Sequence, residues 1–352
     1  MTNAIRALPI AVALCAILGV LPAFAQQGIP GIDSSVVLRM EPKYATPATK
    51  VRVYLQSTVI DVSLASTTWR VNDEVTAQGF GVNSIEFTTG SLGTQSVITA
   101  EIETDLAQAR ARIVVAPAEV DLLWESDAFT PPFYRGRSVP SAGTLVRMQA
   151  MPRFKDTDGK DIPLSNLIFT WRRNGAPLLS ISGPGKSGAT IPAPYLYGTD
   201  TIEVEVATSD YTLAAHAIAR IASIEPRLML YKDHPLFGMM YFEALGARST
   251  VPDEELSFAA VPYFADAASA NDRSLIYDWS VNGSPVAANP MRPSMITIDA
   301  AHSTGIASIE LGLTHITNFF LKKSGAWVVS FASVLESVDP FRGTEDPFRP
   351  VE

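Results

Sequence analysis

The sequence predicts an all-β chain of three tandem antiparallel β-sandwiches that follow an N-terminal signal peptide. Three observations predict it. A Trp-x-x-Asn unit returns three times at domain-sized intervals. Short runs of Ile, Val and Thr alternate with polar residues. No long stretch carries the helical period, and no Cys framework is present to replace a packed core.

The chain begins with Arg6 as the one charge before an apolar run from Ala7 to Phe24, which closes on Ala23-Phe24-Ala25. A basic start, an apolar middle and small residues at −3 and −1 describe a secretory signal peptide over residues 1–25. A retained membrane anchor is the alternative, because the run is near the spanning minimum of ~17 residues. Pro9, Pro22 and the Ala-Phe-Ala ending favour cleavage. Leu14 before Cys15 argues against a lipidation site. Cleavage would remove the single Cys.

The 352 residues carry 18% charged side chains and a net charge of −9. That balance excludes nucleic acid as a partner, since phosphate binding needs a basic surface. No later segment is apolar for long enough to cross a membrane as a helix. A membrane role is therefore confined to the signal segment, if that segment is kept.

The repeat unit reads Trp69-Arg70-Val71-Asn72-Asp73, then Trp171-Arg172-Arg173-Asn174-Gly175-Ala176-Pro177, then Trp279-Ser280-Val281-Asn282-Gly283-Ser284-Pro285. The later copies also match upstream, Ala150-Met151-Pro152-Arg153-Phe154 against Ala260-Val261-Pro262-Tyr263-Phe264. The divisions expected are 33–116, 117–224 and 225–336, followed by a flexible tail at 337–352. The junctions, at 115–119 and 223–227, are short and each holds one Pro, so a semi-rigid rod of three beads is expected.

Each element has a local reason. The Trp strand places Phe169 and Trp171 on one face and Ile168 and Thr170 on the other. A Trp there fills the space between two sheets, which makes Trp69, Trp171 and Trp279 core residues. Asn-Gly tolerates positive φ at both central positions of a tight hairpin turn, and Asn-Asp does so less well. Pro177 and Pro285 cannot donate to a ladder and suit an edge. Ile202, Val204 and Val206 point one way while Thr201, Glu203 and Glu205 point the other. A last strand is expected over 326–333.

Trp-x-x-Asn-Gly on a mid-domain strand, with an alternating strand about thirty residues on, resembles the immunoglobulin-like and PKD-like β-sandwich modules of bacterial surface proteins. The resemblance covers most of residues 33–335. It implies spacer, adhesive or assembly roles outside the cytoplasm.

Candidate chemistry is sparse. Asp156, Asp158 and Asp161 stand near Gly159 at a spacing that can wrap Ca²⁺, but Leu167 occupies the position where the bidentate Glu of such a loop belongs. A solvated hairpin loop is the better reading, and no metal or cofactor is expected. Gly185-Lys186-Ser187 lacks the upstream Gly and the following helix of a phosphate loop, so it reads as a flexible inter-strand loop. The four His show no zinc-site spacing, and there is no Gly-x-Ser-x-Gly. No catalytic residue is assigned.

Two aromatic segments at the copy starts are binding-patch candidates: Phe129, Phe133, Tyr134 and Arg135 in one, Phe237 and Tyr241 in the other. Such residues dominate protein interfaces, but they also suit packing at a joint. The tail repeats Asp-Pro-Phe-Arg, which adds Phe341, Arg342, Phe348 and Arg349 as docking candidates. The function expected is a non-enzymatic exported envelope protein, spacer, adhesive or assembly component, working alongside pili or other surface machinery. Its partner would be an envelope or surface protein. The alternative is a carbohydrate-binding or hydrolase-accessory protein that stacks sugars on its aromatic loops.

Overall fold

A computed structural model describes residues 36–58, 60–105, 108–132, 134–251, 255–299 and 305–331. The signal-peptide reading, Phe133 and the repeated tail lie outside the described residues. The chain divides into two compact units. Among the described residues, one comprises 36–40, 52–86 and 97–113, and the other 41–51, 87–96 and 114–331.

The first copy forms β1 (Val36–Glu41), β2 (Lys50–Ser57), β3 (Ser66–Val71), β4 (Glu74–Phe80), β5 (Ser84–Thr88), β6 (Ser96–Glu103) and β7 (Gln108–Val115). They assemble as two sheets, β1-β2-β5 and β4-β3-β6-β7. Alternation decides the facing: Val51, Val53 and Leu55 of β2 are buried while Lys50, Arg52 and Gln56 are exposed.

The second copy contains β8 (Glu119–Ser126), β9 (Leu145–Arg153), β10 (Leu167–Arg173), β11 (Ala176–Pro177), β12 (Gly183–Pro184), β13 (Gly188–Pro192), β14 (Thr199–Thr208) and β15 (Ala214–Ala222). One sheet is β13-β9-β8. The other is β11-β10-β14-β15, with β12 also on β10. Val146, Met148 and Ile191 from the first sheet and Phe169, Trp171, Val204 and Ala215 from the second share one buried core, so the copy is a sandwich.

The third copy contains β16 (Arg227–His234), β17 (Gly238–Ala244), β18 (Arg248–Val251), β19 (Glu255–Tyr263), β20 (Leu275–Val281), β21 (Ser284–Val286), β22 (Met295–Asp299), β23 (Gly305–His315) and β24 (Lys322–Phe331). Its sheets are β17-β16-β19-β22 and β18-β24-β23-β20-β21. Leu230, Leu256 and Phe258 pack with Trp279, Leu311 and Trp327 in a common core.

The Trp strands face as expected. Trp69, Trp171 and Trp279 are buried on β3, β10 and β20, each beside the long strand that follows. Asn72-Asp73, Asn174-Gly175 and Asn282-Gly283 all turn with positive φ at both residues. Pro177 and Pro285 lie on the exposed edge strands β11 and β21.

Three details differ from the sequence reading. The pairing is not wholly antiparallel, because β18 runs parallel to β24. The chain leaves the first sheet after β17 and covers the open edge of β24, burying Val251. The last strand starts at Lys322 rather than residue 326, since Lys322, Lys323 and Ser324 already pair with Thr314, Leu313 and Gly312. The segment around Lys186 is not a loose loop: Gly183–Pro184 pairs with β10, and Lys186 Nζ donates to the Ser180 carbonyl.

Candidate functional site

The two aromatic segments meet in the second compact unit, where the sandwiches of copies two and three join. The joint is closed by specific bonds. Phe129 N–H donates to the Ala265 carbonyl at 2.8 Å, and Phe264 N–H returns a bond to the Phe129 carbonyl at 2.6 Å. Asn318 Nδ2 donates to the Ala142 carbonyl at 2.7 Å and to Asp266 Oδ2 at 3.0 Å. Lys323 Nζ meets Glu225 Oε2 in the linker at 2.8 Å. Ile224 N–H donates to the Pro140 carbonyl at 3.0 Å.

Beside the joint opens a cleft of about 520 Å³. Pro131, Pro132, Tyr134 and Arg135 form one wall, and Met239, Tyr241, Phe242 and Tyr263 form the other. Pro131 and Pro132 fix the backbone of the first wall, and Tyr134 N–H closes a turn onto the Pro131 carbonyl. The Tyr134 ring then meets Tyr263 and Phe264 edge-on, with centroids 5.8 and 5.7 Å away. On the second wall, Tyr231 and Tyr263 share a hydroxyl–hydroxyl bond of 2.7 Å, and Tyr241 packs edge-on against Tyr231 at 5.5 Å.

Burial pushes the phenols of Tyr241 and Tyr263 up from the ordinary tyrosine range, and for Tyr263 the bond to Tyr231 adds to the effect. Both stay neutral in neutral water, so Arg135 is the charged member of the lining. Among the described residues no acidic side chain pairs with Arg135. The surface is apolar and aromatic with one cation at its rim, a composition suited to holding a ligand.

The sequence candidates therefore divide. Tyr134, Arg135 and Tyr241 converge in the cleft. Phe129 serves the joint through its backbone. Phe237 lies at the tip between β16 and β17, 78% exposed and 4.7 Å from the His234 ring. Phe133, Phe341, Arg342, Phe348 and Arg349 lie outside the described residues. Met239 and Phe242 belong to the second aromatic segment, residues 234–242, whose named candidates are Phe237 and Tyr241. Tyr263 stood inside the repeat match, where it read as an ordinary strand residue. Asn318 had no signal, since its role depends on a contact with residue 142.

The acidic loop does not converge on a cation site. Asp156 Oδ1 accepts the N–H groups of Asp158 and Lys160, and Asp161 pairs with Lys155 at 3.1 Å. Among the described residues no three His, Cys, Asp or Glu side chains form a metal-holding group. Trp69, Trp171 and Trp279 each donate the indole N–H to a carbonyl, of Val82, Lys186 and Pro293 respectively, at 2.8, 3.0 and 3.0 Å. This completes their structural role. Among the described residues no helix is long and apolar enough to cross a membrane.

Fold and site define a tandem immunoglobulin-like β-sandwich protein with an aromatic cleft at one inter-sandwich joint. No protein-family model matches the chain, and no curated protein matches it either. Solved structures similar to it include three N-terminal domains of the highly immunogenic outer capsid protein of bacteriophage RB49. That match has 13% identity and a TM-score of 0.26, and covers 85% of this chain and 99% of that one. The central fibronectin-III array of RIM-binding protein matches at 12% identity and TM-score 0.25, covering 84% and 93%. Sidekick-1 immunoglobulin domains 1–4 match at 12% identity and TM-score 0.19, covering 86% and 100%. At such scores the likenesses carry no argument about function.

Proposed function

We propose that the chain is an exported, non-enzymatic protein of the cell envelope, a spacer, adhesive or assembly component that holds a partner protein at the aromatic cleft. The observation that carries this reading is the cleft itself. Its walls come from two sandwiches fixed together at a bonded joint, so its shape is set before a ligand arrives. Among the described residues, its lining offers one cation and aromatic surface. The signal peptide read from residues 1–25 supports export.

The test is fractionation of cells that carry the full chain. The wild type is expected outside the cytoplasm and retained with the envelope. Tyr134→Ala with Tyr241→Ala should be exported in equal amount and recovered in the soluble fraction. A cytoplasmic wild type, or retention untouched by the double substitution, overturns the reading.

A second reading rests on Phe242, which is 80% exposed at the cleft edge and offers a ring face to a sugar. Glycan binding at millimolar concentration that falls in Tyr134→Ala supports it. Absence of binding removes it.

A further inference from the structure

We infer that the hairpin tip between β23 and β24 is a membrane-contact loop, which lays the rings of Phe319 and Phe320 into the interface of an anionic lipid bilayer. The site is separate from the aromatic cleft and from residues 1–25.

The tip is built so that its rings cannot fold away. His315 Nδ1 accepts the N–H groups of Thr317 and Asn318 at 3.1 and 2.9 Å. Asn318 is locked by its bonds to the Ala142 carbonyl and Asp266. The Leu321 N–H closes the turn on the Asn318 carbonyl at 3.0 Å, and the Leu321 side chain enters the core. Phe319 and Phe320 bridge these two fixed points and stand 91% and 58% exposed. Ile316, at the start of the tip, is also 58% exposed. Apolar groups held in water by their own backbone gain free energy when another phase covers them.

The chemistry around the rings selects a lipid surface. Lys322 follows the tip as the first residue of β24. Arg273 adjoins it, because the Ile316 N–H donates to the Ser274 carbonyl at 2.9 Å. Both cations are exposed, and among the described residues neither forms an ion pair, whereas Lys323 is taken by Glu225. The nearby carboxylates are occupied: Asp266 accepts from Asn318, and Asp272 accepts the Ala268 and Ser274 N–H groups. Apolar rings with cations at their edge match the acyl boundary and the phosphates of a bilayer.

Area points the same way. At ~200 Å² for a large side chain, the three exposed groups offer roughly 400 Å². A stable protein interface needs about 800 Å² on each partner. A bilayer demands no complementary surface, and its hold grows with apolar area and charge. The chain's net charge of −9 opposes a wider contact with anionic lipid, so the contact is local, weak and reversible.

Fluorescence of the full chain carrying Phe319→Trp tests this, with vesicles of brominated phosphatidylglycerol and phosphatidylcholine. The position faces solvent, so the fold is kept. Phe80→Trp, at an 80% exposed site in copy one, controls for lipid contact made through another segment. With vesicles, the emission of Phe319→Trp should shift to the blue and be quenched, while Phe80→Trp responds as the wild type does. Adding Phe320→Ser should weaken the contact about tenfold. Arg273→Gln and Lys322→Gln should each weaken it about fivefold. Equal quenching of Phe319→Trp and Phe80→Trp overturns the proposal, as does no response of Phe319→Trp beyond the wild type. A blue shift that needs no lipid and grows with protein concentration assigns the tip to a second copy and also overturns it. So does binding that is indifferent to both cation substitutions and equal on phosphatidylcholine alone.

Discussion

Asn174 and Thr201 clasp each other with two hydrogen bonds. The Asn174 N–H donates to the Thr201 carbonyl at 2.8 Å, and the Thr201 N–H donates to Asn174 Oδ1 at 2.8 Å. Asn72 with Val97 and Asn282 with Ser308 repeat the pair at the same distances. The turn after each Trp strand is thereby tied to the long strand that pairs beside it. This explains Asn rather than Gly at the first turn position. The site needs positive φ, 52° at Asn174, and also a side-chain acceptor.

Replacing Asn174 separates the two demands. Asn174→Gly keeps the backbone but removes the acceptor from Thr201 and the 2.7 Å bond to Asp200. A loss of about 1–2 kcal/mol is expected. Asn174→Ala adds the strain of positive φ and should lose about 1 kcal/mol more. Urea denaturation of both variants measures the difference. Wild-type stability in Asn174→Gly would dismiss the side-chain clasp.

Trp171 carries a larger share. It is fully buried, and its indole donates to the Lys186 carbonyl at 3.0 Å. Trp171→Ala leaves a cavity between the sheets and should cost about 3–5 kcal/mol. Trp171→Phe should cost less than Trp171→Ala while still orphaning the carbonyl. Thermal melts of the two variants rank them, and an inverted order contradicts the packing account.

What was legible in the sequence follows from what is local. The Trp strand, its Asn turn and the edge Pro depend on residues within a few positions, and period-2 alternation decides the facing of Ile202, Val204 and Val206. The cleft was half legible. Tyr134, Arg135 and Tyr241 carried the right composition, but their convergence depends on Phe129 bonding to residues 264–265. Asn318 was invisible, because an Asn between Thr317 and Phe319 has meaning only where it meets Ala142 and Asp266. The parallel β18 was also hidden, since nothing local tells which sheet a four-residue strand will join.

Asp272 gives a pH prediction. Its carboxylate accepts the Ser274 N–H at 2.9 Å, the Ala268 N–H at 2.8 Å and the Ser274 hydroxyl at 2.7 Å. These bonds, the Ser274 N–H foremost, hold its pKa below the usual carboxylate range. A depressed folded-state pKa gives stability that is present above the unfolded value, ~3.9, and is lost as pH falls through the folded value. Asp272→Asn should be less stable than wild type at neutral pH, and the gap should narrow below about pH 4. Denaturation midpoints between neutral and acid pH follow the gap. A gap independent of pH contradicts the assignment.

Gly143 and Asn318 test whether the joint between copies two and three is an interlock. Asn318 is nearly buried and uses both ends of its amide. Nδ2 donates to Ala142 and Asp266, and Oδ1 accepts the Phe320 N–H at 3.1 Å. The space it occupies exists because residue 143 has no Cβ. One placed there would collide with the Asn318 amide and the Asp266 carboxylate, and φ of +100° already favours Gly. Gly143→Ala should therefore destabilise by about 1–3 kcal/mol, through backbone strain and expulsion of Asn318. Asn318→Ala alone leaves the Asp266 carboxylate and the Ala142 carbonyl without this donor and should also destabilise. In the double variant the collision with Asn318 is gone and its bonds are already lost, so the combined effect should fall short of the sum by about 1 kcal/mol. A double-mutant cycle by denaturation measures this. Residual dipolar couplings across the two sandwiches should show a changed mutual orientation in Gly143→Ala. Strict additivity with unchanged couplings would mean that the two residues act independently and that the joint is held elsewhere.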